Sequence, residues 1–248
     1  MEFLTVLLIV VCGLMAGFIN TVAGGGSLLT LPLLLFLGLP APMANGTNRI
    51  AIVVQNIFAV SGFRSKGVGV FPYSWWVALA ALPGAVLGAW LALDVRGEVF
   101  NRILAVIIVG AIVMMLARPK NKAPRPENLS ASRQGVGVLL FFLVGIYGGF
   151  IQAGVGFLIL AVLGGVNHMG LVRANSVKVF VVLLYTLGAL ALFIAQGQVN
   201  WYYGLSLAVG NATGGWVASR LSVKKGDKWV RNILIIMLVA MAVKLFFF

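Results

Sequence analysis

The sequence predicts an all-α polytopic membrane protein made of two inverted repeats, each of about five helical segments that open on a glycine-broken pair of half-helices. Three observations lead there. The 248 residues are 61% hydrophobic and only 9% charged, against about 25% charged in an ordinary soluble domain. The charges leave uncharged runs at 3–48, 67–93, 134–172 and 179–219, where one crossing of a bilayer needs only about 20 apolar residues. The same motifs return in the same order in both halves of the chain. These observations exclude a soluble enzyme, a nucleic-acid binder and a secreted disulfide scaffold, the last because Cys12 is the only cysteine. The net charge of +13 is then a consequence of topology, because cytoplasmic membrane loops collect Lys and Arg.

Met-Glu-Phe-Leu at the start has no basic n-region, so the first apolar run is expected to belong to the mature protein. The first repeat (1–117) reads as helical segments at 3–19, 27–38, 43–63, 70–93 and 99–117. Arg118–Arg133 (RPKNKAPRPENLSASR) follows as a linker whose prolines and charges suit water and not lipid. The second repeat (134–248) answers with segments at 135–151, 156–167, 171–195, 199–219 and 229–247, so that both repeats form one integral membrane domain. GFIN at 17–20, GGGS at 24–27 and ANGTNR at 44–49 are matched by GFIQ at 149–152, GVG at 154–156 and ANSVK at 174–178. Trp75, Gly84, Gly88 and Trp90 recur 126 residues later as Trp201, Gly210, Gly214 and Trp216, and Ile103-Leu104 recurs 130 residues later as Ile233-Leu234.

Charge arbitrates how the repeats are related. Suppose each broken pair crosses twice or returns as a hairpin, with the linker in the cytoplasm. Fourteen basic residues then lie inside: Arg64, Lys66, the five of the linker, Arg173, Lys178, Arg220, Lys224, Lys225, Lys228 and Arg231. Arg49, Arg96, Arg102 and Lys244 lie outside. A single crossing would leave eight inside and ten outside. The positive-inside rule selects the first arrangement: a multi-pass inner-membrane protein, linker cytoplasmic, both termini outside, the repeats inverted.

Segments 27–38 and 156–167 are too short to cross the hydrocarbon, at about 18 Å each. Irregular backbone at membrane depth must be buried in protein or line a watery cavity. Half-helices starting at Ser27 and near Gly156 would aim free N–H groups and positive dipole ends at the breaks, a ready anion site. Gly24, Gly25 and Gly26 are read as part of that break, as are Gly154 and Gly156, whereas Gly84, Gly88, Gly210 and Gly214 are read as close helix packing. Asn20, Thr21, Ser27 and Gln152 lie beside the breaks, either as donors to a ligand or as caps for the broken backbone. Asn45 and Asn175 each open a third segment, followed by Thr47, Asn48 and Arg49 or by Lys178. Both cations lie about two turns deep, where they are expected to line a pathway rather than snorkel to headgroups.

The acids are Glu2, Asp94, Glu98, Glu127 and Asp227, all at expected loops or ends, which leaves no carboxylate for a proton relay or a hard-cation cage. His168 reads as an interfacial polar residue, and GGGS lacks the Lys of a phosphate-binding loop. No metal, cofactor or catalytic set is expected. Trp75, Trp201 and the Phe71–Trp76 stretch read as interfacial anchors.

GFINTVAGGGSLLTLPLLLFLGLPAPMANGTNR at 17–49, with its degenerate copy from Gly148 to Lys178, closely resembles the sulfite exporter TauE/SafE family of bacterial and archaeal permeases. The resemblance covers nearly the whole chain. It implies a transporter of sulfur-containing anions such as sulfite, thiosulfate or small organosulfonates. Asn20 to Ser27 and Asn45 to Arg49 match the family's first motif region. The second copy has Gln152 at the Asn20 station, Val155 inside the glycine run and Lys178 at the Asn48 station. The expected partners are a small anionic substrate and the lipid bilayer. In the expected mechanism, Gly24–Ser27 and Gly154–Gly156 offer N–H groups, Asn20 and Gln152 orient the oxyanion, and Arg49 and Lys178 attract it from opposite faces. A carrier of another solute or a metal cation, and a non-transporting assembly factor, remain open at this stage.

Overall fold

The computed structural model describes residues 2–69, 72–95, 97–116 and 126–247. Phe71, Arg96 and linker residues 118–125 lie outside the described residues, as does the side chain of Lys244. Long apolar runs shielded from water can satisfy their backbone only within helices or closed barrels, and the described elements are all helical. They are α1 (Glu2–Val22), α2 (Ser27–Phe36), α3 (Ala41–Arg64), α4 (Tyr73–Leu93), α5 (Gly97–Leu116), α6 (Ala131–Phe150), α7 (Val155–Gly165), α8 (Leu171–Ala195) and α9 (Trp201–Phe247). Phe3–Val22 of α1, α4, α6 and α8 are long and apolar enough to cross a bilayer, whereas α2 and α7 are short, about 15 Å each.

The segments expected from sequence differ from these in two informative places. Helix α1 runs on through Val22, so Asn20 and Thr21 belong to its last turn. The charged stretch at 220–228, expected as a loop, is helical up to Gly226, the one residue inside α9 with non-helical torsions (φ 76°, ψ −177°). Lys and Arg are good helix formers, and only the glycine opposes the helix there. Beyond it the chain folds back: Val230 and Leu234 share a core with Ala218 and Phe100, and Trp229 meets Phe18 edge to face at 6.1 Å.

Two helix pairs are held by glycines. In α1 and the first part of α9, Gly13 and Gly17 face Leu207 and Asn211, while Gly210 and Gly214 face the carbonyls of Val10 and Leu14. In α4 and α6, Gly84 and Gly88 face the carbonyls of Phe142 and Ile146, while Gly145 and Gly149 face Ala81 and Ala85. Residue numbers rise together across both contacts, so each pair runs in parallel. This small-residue contact is the packing expected for Gly84, Gly88, Gly210 and Gly214, since without a hydrophobic force between helices in lipid close van der Waals contact must hold them. Gly88→Leu should therefore destabilise by about 1–3 kcal/mol. Gly110→Leu, at an open position on α5, should not. Thermal unfolding in detergent compares them, and equal midpoints would discount the packing argument.

The ends of the bundle differ in charge. Asp227 accepts from the N–H groups of Leu171 and Val172, both at 2.9 Å, and so caps α8. Ser176 donates to Val68 O at 3.4 Å, and Arg173 pairs with Glu127 at 2.9 Å. These contacts gather the end of α3, the start of α6, the α7–α8 turn and the Gly226 break at one end, with Arg64, Lys66, Arg133, Arg173, Lys224, Lys225, Lys228 and Arg231. At the other end Thr47 on α3 meets Asn200 before α9. Helices α1 and α2 enter and leave at that second end, and α6 and α7 at the basic end.

Candidate functional site

The two breaks touch. Gly24 (φ 89°) and Gly156 lie backbone to backbone, so a Cβ on either would fall on the other's Cα. Gly25 lies against the Phe157 ring, and Gly26 against Ala16 O and the Asn20 Cβ. The second break turns through left-handed torsions at Gln152 (φ 62°) and Gly154 (φ 70°). A side chain there is strained, and such strain persists where surroundings over-determine it. The Gly24 N–H is taken by Ile19 O at 3.2 Å. Among the described residues, the N–H groups of Gly25, Gly26 and Gly154 find no acceptor. These glycines therefore combine the expected free donors with a packing role that the sequence did not reveal.

A broken helix leaves carbonyls without partners, which costs several kcal/mol apiece at membrane depth. Each break is answered by a cation from the other half of the chain. Arg49 on α3 donates through Nη1 to Gly148 O (3.2 Å) and through Nη2 to Gly149 O and to Asn45 Oδ1 (3.2 Å). Lys178 on α8 donates to Asn20 O (2.9 Å), Thr21 O (2.8 Å) and Asn175 Oδ1 (2.6 Å). The asparagines complete the clamps: Asn45 Nδ2 donates to Phe150 O at 2.7 Å, and Asn175 Nδ2 to Val22 O at 2.9 Å. Both cations thus sit at helix C-termini, where the macrodipole favours positive charge. Arg49 is 0% exposed and Lys178 2%, so neither snorkels. Among the described residues the only ion pair is Arg173–Glu127 at the basic end, and neither buried cation meets a carboxylate.

Around the first break, Asn20 Nδ2 (3.2 Å) and Asn211 Nδ2 (3.3 Å) donate to Gln55 Oε1, and Gln55 Nε2 donates to Thr21 Oγ1 (3.4 Å). Thr30 Oγ1 donates to Asn48 Oδ1 (2.7 Å), and Asn48 Nδ2 to Ser27 Oγ (3.3 Å), which ties α2 to α3. Around the second, Tyr147 closes the turn by donating to Ala153 O at 2.5 Å. Gln152 and Thr186 flank the buried Tyr185 hydroxyl, and Phe193 lies under the Arg49 guanidinium, 4.9 Å from ring centroid to Cζ.

Of the residues expected from sequence, Asn20, Thr21, Gly24, Gly25, Gly26, Ser27, Asn45, Asn48, Arg49, Gln152, Gly154, Gly156, Asn175 and Lys178 all lie at or beside the breaks. Thr47 does not: its hydroxyl accepts from the Asn200 N–H at 2.9 Å, just before α9, whose cap is Asn200 Oδ1 accepting from the Tyr203 N–H at 3.1 Å. The reason is helical periodicity, since Asn45, Asn48 and Arg49 share a face at spacings of three and four, and Thr47 projects elsewhere. Gln55, Asn56, Asn211, Tyr185 and Thr186 are buried polar residues that the motif reading missed. One signal for them was available. Tyr185-Thr186 stands 130 residues after Gln55-Asn56, the offset that relates Asn175 to Asn45.

A family model described as "Sulfite exporter TauE/SafE" matches residues 9–245. The chain is 29% identical over 235 residues to "Probable membrane transporter protein ORF9" of Sinorhizobium sp, covering 95% of this chain and 90% of that protein. It is 30% identical over 237 residues to "Probable membrane transporter protein YfcA" of Escherichia coli K12, covering 94% and 87%. It is 28% identical over 234 residues to a "Probable membrane transporter protein" of Haemophilus influenzae, covering 94% and 91%. No solved structure matches the chain.

Proposed function

Because the chain belongs to the sulfite exporter TauE/SafE family and is a membrane transporter rather than an enzyme, we propose that it is a secondary transporter of sulfur-containing anions such as sulfite, thiosulfate or small organosulfonates. The observation that carries this reading is the pair of buried cations, Arg49 and Lys178, held by carbonyls and amides with no carboxylate beside either among the described residues. Two buried positive groups with no carboxylate partner, beside two half-helix N-termini that meet, create a potential that favours an anion and opposes a cationic cargo. Gly25, Gly26 and Gly154 offer N–H groups to such an anion, and Asn20 and Gln152 flank it.

The movement follows from the reciprocal clamps. Each cation belongs to one half and holds the break of the other, so tilting the halves against one another displaces both breaks. The crossed contacts, and the entry of the two broken pairs from opposite ends, support inverted repeats and alternating access. The basic end is assigned to the cytoplasm of the inner membrane by the positive-inside rule, with both termini outside.

Uptake of labelled sulfite into proteoliposomes containing the purified protein tests this. Saturable flux is expected, inhibited by at least one of thiosulfate, sulfate and a small organosulfonate. Folded protein that carries no sulfite above protein-free liposomes, or flux that none of these anions inhibits, would overturn the reading.

A further inference from the structure

The two buried cations are chemically unequal. A lysine ammonium has three N–H donors, and Lys178 spends its bonds on Asn20 O, Thr21 O and Asn175 Oδ1. An arginine has five, and the bonds of Arg49 to Gly148 O, Gly149 O and Asn45 Oδ1 all come from Nη1 and Nη2. Its Nε–H is buried with no acceptor.

That donor has company. Gln152 Oε1, the Tyr185 hydroxyl and the Thr186 hydroxyl are also buried and unpartnered. Gln152 and Thr186 face the Tyr185 hydroxyl without closing a hydrogen bond of normal geometry, and Arg49 reaches the same place through its bond to Gly148 O. Gly148 keeps this place open: a Cβ there would stand 2.8 Å from the Tyr185 hydroxyl oxygen. Buried polar groups are nearly always hydrogen-bonded, and a cluster of unpaired ones from separate elements calls for a polar group to satisfy it. Here they come from α3, the α6–α7 break and α8, beside the free N–H of Gly154. At the first break the side-chain amide donors are taken up, because Gln55 joins Asn20, Thr21 and Asn211, and the side-chain atom left unpartnered there, Asn211 Oδ1, is an acceptor.

We propose that the transported oxyanion is bound at the second break, by Arg49 Nε–H together with the hydroxyls of Tyr185 and Thr186 beside Gln152, and that Lys178 acts as a clamp on the first break. A deprotonated oxyanion accepts hydrogen bonds only, which suits these three donors and the fixed positive charge, while Gln152 Oε1, an acceptor, suits the proton of a singly protonated one. This assignment rests on the anion-transport reading and adds to it the residues that set affinity and selectivity.

The test is Tyr185→Phe and Thr186→Val, each measured for labelled sulfite uptake in proteoliposomes and for thermal unfolding in detergent. Each variant removes a hydrogen bond to a charged ligand, so KM is expected to rise about tenfold. The unfolding midpoint of the ligand-free protein should stay level or rise, because an unpaired buried hydroxyl is lost. That split distinguishes ligand contact from a structural role, which would lower the midpoint. Wild-type flux with unchanged KM in both variants would overturn the assignment and leave anion transport standing. Wild-type protein that carries none of the sulfur oxyanions would overturn both.

Discussion

Arg49→Gln is expected to cut flux of the sulfur oxyanion by about a hundredfold, corresponding to about 3 kcal/mol. The guanidinium joins two tasks that few substitutions separate. Its Nη groups hold the carbonyls of Gly148 and Gly149, which have no water to turn to. Its charge supplies the attraction for an anion. Gln keeps one amide donor group for the first task and loses the second, so both the unfolding midpoint and the flux should fall. Arg49→Lys pulls the tasks apart. An ammonium restores the charge, but its three donors are all needed by Gly148, Gly149 and Asn45, and none remains for substrate. The midpoint should recover toward wild type while flux stays low. Wild-type flux in Arg49→Gln would remove this residue from the mechanism. Full recovery of flux in Arg49→Lys would mean that charge alone suffices and that the planar fork has no special part.

Much of this arrangement is legible before any coordinates, and the parts that are not share a cause. Helix positions, the short α2 and α7 and the glycine-lined helix contacts follow from local composition, because lipid leaves the backbone few alternatives. The depth of Arg49 and Lys178 and their link to an asparagine are local too, since Asn45 and Asn175 stand one helical turn earlier. What each cation grips is not local. Arg49 reaches carbonyls 99 and 100 residues away, and Lys178 reaches 158 and 157, and no periodicity encodes which carbonyl ends meet which cation. Tyr185 and Thr186 repeat the offset of Gln55-Asn56, but for the same reason which break they face is decided only when α8 is packed against it. Thr47 errs in the other direction: it belongs to a motif by sequence and to a different helix face by geometry.

Gly24→Ala should be among the most disruptive single-methyl changes in the chain, and the way it disrupts can be dissected. Two costs combine at this position. The left-handed torsion, φ 89°, penalises any Cβ by about 1–2 kcal/mol. The new methyl would also fall on the backbone of Gly156, and overpacking costs about 1–3 kcal/mol even where neighbours can shift. Backbone held at a break by Arg49 and Lys178 has less room to shift than a side chain does. Two other glycines isolate the terms. Gly38 has a similar torsion, φ 86°, and open space around it, so Gly38→Ala should show the torsional cost alone. Gly156 is helical and meets Gly24 from the other side, so Gly156→Ala should show the contact cost alone. The loss in Gly24→Ala should approach the two together, about 2–5 kcal/mol, read as unfolding midpoints in detergent with flux measured on the folded fraction. If Gly156→Ala matches wild type in both measurements, the breaks do not need to touch, and the triple glycine matters through its N–H groups only. If its flux falls while its midpoint holds, the contact between the breaks is a moving part of the transport cycle as well as a joint of the fold.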